Sequence, residues 1–598
     1  MADFPRQLIL VSLTALGLAA CGGGSDSSTS TTGGSDNISG TTTTTATGTT
    51  TTGTTSSAST KWNLSTGAYS PDLADTSAYL PLAIALDTMT VTSSSPRLTV
   101  VATSSTVTTV NLDGTAVITL TKDAYGVTIR STLSGDTHVA YQLSGSGTTP
   151  ITLYSDNDYK LLLSSATIAS SDGPAINLQS KTTAFVELSG TSTLSDSSTW
   201  SSRTTDDGDS MDLKATFFAE GPLVFSGDGA MNINATPKHA LVSDKHLRLK
   251  SGTLTLNAAS KDGLRANNAF VMDGGTLSIT TPAGKGIKVE GKEDSEQAIG
   301  FIAINDGTLT ITSHDKAITA SWKAEDDADT TDTSDDPDPR VTINGGTIEV
   351  TTTGTPYEDP TGEDSLSPEG IEAKSVLTIN GGNITIDSTD DSLNAGTAIV
   401  IAGGRLYATS SANDAIDSNG TLTISGGYTV AVGSSVPEGA FDNDRNTFAI
   451  TGGVLVGIGG TNSSPTTSAT TQNSIAVGGN LTAGLWTLRD ASGNAAFSFR
   501  LPIAAQSMVL SSPKLTSGTT YTVVTGGTLG TVSEDFNGLA VEPTTHTGGT
   551  TGDSLTITQT VSTLGNFMQG PGGGGMMPGG GVPPTGTPPM GMPPNFAW

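Results

Sequence analysis

Residues 368–410 read PEGIEAKSVLTINGGNITIDSTDDSLNAGTAIVIAGGRLYATS and contain two successive copies of one pattern. In each copy a small residue is followed at once by an apolar one, and the second glycine of a Gly-Gly pair comes 12 residues after the small residue. Apolar and polar residues alternate on both sides of the glycine pair, which indicates two strands, each with one buried face, joined by a turn.

The same pattern recurs over the middle of the chain. The spacing of 12 joins Ala240, Gly263, Gly370, Ser392 and Ala415 to Gly252, Gly275, Gly382, Gly404 and Gly427, and copies with longer insertions surround Gly286, Ala317 and Gly439. One unit cannot bury its own apolar face, so the units must stack on one another. Leucine-rich repeats would show a helical half, and propeller blades are about twice as long. A period of about 23 residues built from strands therefore predicts an all-β fold, a right-handed parallel β-helix.

Composition divides the remaining chain into segments. Glycine, serine and threonine dominate one end and glycine, proline and methionine the other, and neither composition can bury a core. We predict a lipoprotein signal peptide over 1–20, a disordered tether over 21–60, an N-terminal β region or cap over 61–150, the β-helix over 151–465, a C-terminal β-rich region over 466–565 and a disordered tail over 566–598.

The first residues predict a targeting signal. Arg6 precedes an apolar run that ends in Leu18-Ala19-Ala20-Cys21, which resembles the lipobox of bacterial lipoproteins, where the cysteine is acylated. The alternative is an ordinary secretory signal with a chance cysteine. The run is too short for an ordinary spanning helix. We expect a monomer in the bacterial cell envelope, at the outer membrane or cell surface, held to the membrane by its lipid anchor only.

Charge limits the classes of partner. The formal net charge is -30, which argues against nucleic acid as a partner. An anionic ligand would need a cation between itself and such a protein. Cys21 is the only cysteine, so there is no disulfide framework.

Acidic residues recur at two positions of the repeat. Glu369, Asp391, Asp414 and Glu438 precede the small residue in four consecutive units, and Glu372, Asn394 and Asp417 stand two residues after it in three of these units. Like charges stacked one strand spacing apart repel one another, whereas Ca²⁺ binds six to eight oxygen ligands. We predict a calcium site with ligands from Glu369, Glu372, Asp390, Asp391, Asn394, Asp414 and Asp417. The alternative is a solvated acidic edge. The acidic insert at 323–340 is expected to be a surface loop.

The segments PEGIEAK, DDSLNAG and NDAIDSNGTLTISGG resemble the repeats of a bacterial carbohydrate-binding domain family. The resemblance covers about 215–460 and is best over 365–445. It implies a β-helix like that of pectate lyases, bound calcium, and binding of polygalacturonic acid without clear lyase activity. We therefore expect a cell-surface lipoprotein that binds an acidic, polygalacturonate-like polysaccharide through calcium.

Two other classes of function stay open. A calcium-dependent polysaccharide lyase needs a lysine or arginine base, and Lys374 is a weak candidate because it lies two residues from Glu372, although it could serve only to offset the acidic residues. Arg265, Lys288 and Arg405 are further cations near the columns, and a hydrolase would need two opposed carboxylates. Tyr407 and Arg405 are weak candidates for carbohydrate contact. A non-catalytic adhesin or structural surface protein is the third possibility.

Overall fold

The computed structural model describes residues 62–569, except 206–207, 293–298, 324–336 and 359–364. The predicted signal peptide and tether, Cys21, most of the acidic insert and most of the tail lie outside the described residues. Within the described ranges no helix is long and apolar enough to span a membrane.

Ten consecutive coils, each of three short strands, form the middle of the molecule, and each strand pairs in parallel with its equivalent in the next coil. We name the three columns of strands the first, second and third stack. The first stack contains Ile176–Leu178, Ala215–Ala219, His239–Ser243, Leu264–Ala266, Ile287–Lys292, Ile318–Lys323, Ile371–Ala373, Leu393–Ala395, Ile416–Ser418 and Phe441–Asp442. The second stack contains Ala184–Ser189, Leu223–Gly227, His246–Leu249, Ala269–Met272, Phe301–Ile304, Arg340–Ile343, Val376–Ile379, Ala398–Ile401, Thr421–Ile424 and Phe448–Ile450. The third stack contains Thr191–Ser195, Ala230–Ala235, Thr253–Ala258, Thr276–Thr281, Thr308–Ser313, Thr347–Thr352, Asn383–Ser388, Arg405–Ser410, Tyr428–Val432 and Val454–Gly459. The predicted all-β parallel β-helix is confirmed.

The core follows the alternation of the repeat. Leu377 and Ile379 of the second stack and Ile384 and Ile386 of the third stack are fully buried, and their equivalents in other coils pack with them into one continuous cluster. Burying such a side chain stabilises the fold by about 1.5–3 kcal/mol relative to leaving it exposed. The repeated apolar positions therefore provide the stability that no single coil could provide.

The second glycine of each pair makes the turn between the second and third stacks. Gly404 has a φ of +81°, and a Cβ atom there would lie 2.7 Å from the carbonyl carbon of Gly381 in the preceding coil. Only glycine adopts this conformation readily and tolerates such a close approach. The glycine columns thus keep the coils in register.

The N-terminal side of the helix begins with antiparallel strands. Four strands form a meander whose last member, Gly126–Ser131, pairs in parallel with Ile151–Ser155 and so leads into the first stack. The strands before the ten coils are Leu80–Ala85, Thr90–Thr92, Leu98–Ala102, Val107–Leu112, Thr115–Asp123, Gly126–Ser131, Val139–Gly147, Ile151–Ser155 and Tyr159–Ala169, and a short 3₁₀ helix spans Ser70–Leu73. The meander covers the edge of the first stack.

Residues 62–74 pack on the outer face of the second stack. The Trp62 ring stacks on Tyr69 at 4.3 Å between centroids and meets Phe301 edge to face. The buried carboxylate of Asp72 lies 2.8 Å from His246 Nε2 and 3.4 Å from Arg248 Nη1. This contact fixes the beginning of the described chain on the side of the helix.

The C-terminal side ends in antiparallel strands. Ala505–Ser511 pairs with Val454–Gly459 of the last coil and with Ser474–Leu481, which also pairs with Val561–Gly565. A six-stranded sheet packs against the outer face of the third stack, in the order Glu534–Phe536, Leu539–Val541, Ala495–Leu501, Gly484–Arg489, Thr520–Thr525 and Thr550–Thr556. Two small hairpins pair Tyr357–Glu358 with Ser365–Leu366 and Thr528–Leu529 with His546–Thr547.

Candidate functional site

Charged side chains line up along the first stack. One column, the strand column, follows the strand register and contains Val242, Arg265, Lys288, Thr319, Glu372, Asn394, Asp417 and Asp442. A second column, the entry column, lies just before the strands and contains His239, Asp262, Lys285, Lys316, Glu369, Asp391, Asp414 and Glu438. Both columns change from mainly cationic to acidic residues along the helix. We call the coils from Glu369 to Asp442 the acidic half.

The two columns meet in the acidic half. Asn394 Nδ2 of the strand column lies 3.0 Å from Asp391 Oδ2 of the entry column and 3.4 Å from Asp417 Oδ2 in the next coil. Asp390, beside Asp391, accepts a hydrogen bond from Asn413 at 2.8 Å. The alternation pattern does not by itself show that residues before and after the small residue face one another, whereas the structure shows that they do.

Most predicted calcium ligands are buried. Glu369, Glu372, Asp390, Asp391 and Asp414 are buried, while Asn394 and Asp417 are half-buried. The alternative of an acidic edge that only faces water does not describe these five side chains. Ionised carboxylates are rarely buried unless they are paired with a cation or coordinate one.

Burial and mutual repulsion raise several pKa values in the acidic half. Burial is the main cause at Asp391, whose pKa lies well above its ordinary value, and the carboxyls of Asp417 and Glu369 add to it. Burial likewise raises the pKa of Asp414 to about 8 and the pKa values of Asp417 and Glu369 to about 7. At neutral pH these carboxyls must therefore keep protons or be neutralised by a cation.

Lysines neutralise the acidic half at one end. Lys316 Nζ lies 2.8 Å from Glu369 Oε1 and 3.4 Å from Glu372 Oε1, and Lys374 Nζ lies 2.5 Å from Glu372 Oε1. Thr319 donates a hydrogen bond of 2.6 Å to Glu372 Oε2. Although burial alone would raise it, these two ammonium groups lower the pKa of Glu372. In this arrangement Lys374 is a counter-ion of Glu372, and its catalytic role stays a prediction.

The oxygen atoms of the acidic half that no lysine neutralises are of the type that binds hard cations. Glu369 Oε2 is buried without a hydrogen-bond partner among the described residues. Carboxylate and amide oxygens are the ligands that Ca²⁺ prefers. In the described part of the chain, however, the acidic triad whose oxygens all lie within 4.8 Å of one another is Asp212, Glu220 and Asp244, and not a subset of the predicted ligands. The predicted calcium site stays a prediction.

A cavity of about 440 Å³ lies on the cationic part of the first stack, and sequence reasoning missed it. Its lining includes Lys214, Lys238, Lys261, Arg265, Lys292 and Lys323, together with the acidic residues Asp244 and Glu290. We call this cavity the basic pocket. A sequence signal was present: Lys238 and Lys261 both stand two residues before the small residue of their units.

Ion pairs order the walls of the basic pocket. Arg265 Nη2 lies 2.5 Å from Glu290 Oε2, and Lys288 Nζ lies 2.7 Å from Glu290 Oε1. Lys214 Nζ lies 2.5 Å from Asp244 Oδ2 and 2.7 Å from Asp212 Oδ2, so the acidic triad already holds an ammonium group. Both acidic residues of the lining are therefore paired.

The two predicted carbohydrate contacts belong to another surface. Arg405 reaches Glu534 of the C-terminal sheet with both Nη atoms, the Nη2–Oε2 pair at 2.6 Å, and its guanidinium lies over the rings of Tyr428 and Phe536. Tyr407 packs against the same C-terminal cluster. Their side chains join the third stack to the C-terminal sheet, while their contact with sugar stays a prediction.

Comparison with protein families relates the helix to carbohydrate binding. Residues 123–415, a little under half of the chain, match a family model described as "Carbohydrate-binding domain-containing protein". The match begins earlier than the predicted resemblance and ends at Ala415. It therefore includes the N-terminal coils, whose repeat pattern is weak in the sequence.

No curated protein matches the chain. Among solved structures, a polysaccharide lyase-like protein from C. thermocellum, solved as a gadolinium derivative, shares 16% identity with a TM-score of 0.33, over 55% of this chain and 100% of that one. The parallel pairing of equivalent strands in successive coils defines the fold.

Proposed function

We propose that the protein is a cell-surface lipoprotein that binds an acidic, polygalacturonate-like polysaccharide through calcium on the first stack. The observation that carries the proposal is the acidic half, where buried carboxyls have raised pKa values and Glu369 Oε2 has no hydrogen-bond partner within the described ranges. A divalent cation would neutralise these groups and allow them to ionise at neutral pH.

Asp391, Asp414, Asp417 and Glu369 would hold the ion, and Asn394 offers an amide oxygen beside them. Glu372 takes a smaller part, because Lys316 and Lys374 already neutralise it, and Glu369 would offer its Oε2, because Lys316 pairs with its Oε1. The bound ion supplies positive charge that attracts the carboxylates of the polysaccharide to an otherwise acidic protein.

Two further observations support the sugar and the location. The family match over residues 123–415 supports carbohydrate as the ligand class. The lipobox-like sequence before Cys21 supports attachment to the cell envelope by a lipid.

Two experiments test the proposal. The first is calorimetric titration of the metal-free protein with CaCl₂, and the second measures retention of the protein on immobilised polygalacturonate with calcium or with a chelator. We expect calcium binding and calcium-dependent retention, both weakened at least tenfold by Asp391→Asn combined with Asp414→Asn. Asp387→Asn is the matched control, because Asp387 is an exposed carboxylate of the third stack. Wild-type retention that is equal in calcium and in chelator would contradict the calcium bridge.

The same samples separate the other classes of function. Release of unsaturated uronates from polygalacturonate, followed by their ultraviolet absorbance, would identify a lyase instead of a binding protein. Absence of retention on acidic and neutral polysaccharides alike would favour an adhesive or structural role.

A further inference from the structure

We propose that the basic pocket is a second, metal-independent site that binds the carboxylates of a uronate oligosaccharide directly. The inference rests on the proposed function for the ligand class but not for calcium. The charge of the pocket is opposite to that of the whole protein. The chain has a net charge of -30, yet six cationic side chains line this cavity beside two acidic ones.

The acidic residues of the pocket do not neutralise all of its cations. Glu290 is paired with Arg265 and Lys288, and Asp244 is paired with Lys214. Lys238 and Lys261 are exposed and form no ion pair with any described residue. Two neighbouring ammonium groups repel each other, and an anion placed between them reverses that repulsion.

The lysines are arranged periodically. Lys214, Lys238 and Lys261 occupy the same place in three successive coils, two residues before Thr216, Ala240 and Gly263. Neighbouring strands are about 4.8 Å apart, so the backbone positions that carry these lysines recur along the helix axis at that spacing. A linear polymer that carries one carboxylate on every sugar unit also presents its charges at regular intervals.

The rest of the lining suits a sugar ring. His239 Nδ1 accepts the backbone N–H of Asp262 at 3.1 Å, and burial lowers the pKa of His239 to about 4, so its neutral ring keeps the proton on Nε2 as a donor. Asn267 adds an amide, and Leu213 and Val242 add apolar surface. A volume of about 440 Å³ is within the range of ligand pockets and fits a short oligosaccharide segment.

The pocket and the acidic half lie on the same stack. Three coil steps separate Arg265 from Glu372 in the strand column, about 14 Å at the spacing of neighbouring strands. One polysaccharide chain can therefore contact lysines directly at one end and bound calcium at the other.

Calorimetry with a purified galacturonate hexamer, in chelator and at low salt, tests the inference on the full chain. We expect measurable, salt-sensitive binding to the wild type and at least about a tenfold loss in the variant Lys238→Ala combined with Lys261→Ala. Lys122→Ala combined with Lys181→Ala is the matched control, because both lysines are exposed outside the pocket. Circular dichroism of each variant verifies that it is folded.

Titrations with other ligands show which chemical group the pocket binds. The methyl-esterified hexamer should lose binding because it has no carboxylates, and a sulfated dextran that binds more tightly than the galacturonate would overturn the assignment to uronate. Absence of wild-type binding in chelator, or equal binding by the Lys238/Lys261 variant, would overturn the pocket. Failure of the calcium titration with binding retained in chelator would overturn only the calcium bridge.

Discussion

The acidic half and the basic pocket lie on the same stack of one repeat, yet their charged side chains differ in sign and in burial. In the acidic half Asp391 and Asp414 are buried and their pKa values are raised, whereas in the basic pocket Lys238 and Lys261 are exposed and form no ion pair with any described residue. The backbone gives both regions the same spacing. Burial explains why the two regions differ in charge state. A buried carboxyl needs a proton or a bound cation, whereas an exposed ammonium group stays charged in water without a bound anion.

Lys316 marks the border between the two regions, and its removal should have the largest effect. Lys316→Met leaves Glu369 and Glu372 without their buried partner, so we expect a loss of about 3–5 kcal/mol in the free energy of unfolding, measured by urea denaturation. Lys374→Met is the control, because its side chain is 56% exposed and its loss should change stability by less than about 1 kcal/mol. Equal losses in both variants would show that burial does not distinguish these lysines.

Calcium should stabilise the acidic half and leave the basic pocket unchanged. At a concentration 100 times the dissociation constant we expect about 2.7 kcal/mol of added stability, seen as a higher melting temperature in calorimetry. Asp391→Asn should abolish this gain and, in chelator at neutral pH, should raise stability because asparagine, unlike the carboxyl of Asp391, takes up no proton when it is buried. A calcium gain that persists in Asp391→Asn would exclude Asp391 as a ligand.

The raised pKa values predict how stability changes with pH in the metal-free protein. Asp414 keeps its proton up to about pH 8 in the folded state but loses it near pH 3.8 when unfolded, so stability should fall as pH rises between these values. The free energy of unfolding should fall by about 1.4 kcal/mol per pH unit for each proton that the folded state retains and the unfolded state loses. Urea denaturation at pH 5, 6, 7 and 8 should show the fall in wild type and a smaller one in Asp414→Asn. A rise over this range would contradict the burial of the cluster.

Arg405 should contribute least, because its ion pair with Glu534 is partly exposed. We expect Arg405→Ala to lower the unfolding free energy by about 0.2–1 kcal/mol, with retention on polygalacturonate unchanged. Arg97→Ala, which removes an exposed pair with Asp113, serves as the control. Loss of retention in Arg405→Ala alone would instead support the predicted carbohydrate contact at Arg405.

The candidate site was only partly readable from the repeat. Aligning units on their glycine pairs places Asp391 beside Asp414 and Glu369, because equivalent residues of a solenoid stack in columns. The same alignment did not reveal Lys316 as the partner of Glu369. A long insertion separates the two residues in the sequence, and the alignment does not show which side chains of neighbouring coils meet. The basic pocket was not predicted, because the repeat pattern aligns Lys238 with Lys261 but does not show that these lysines enclose a cavity with Arg265, Lys292 and Lys323.

By itself the sequence determined the parallel β-helix, since period-two alternation and a glycine pair every 23 or so residues leave stacking as the only way to bury the apolar positions. It also determined which acidic residues would share a column. Only the tertiary structure decided that these carboxyls are buried, that Arg405 and Tyr407 face the C-terminal sheet, and that lysines of neighbouring coils enclose a pocket. Burial and side-chain pairing depend on contacts between segments distant in the chain, and a local pattern carries no information about those contacts.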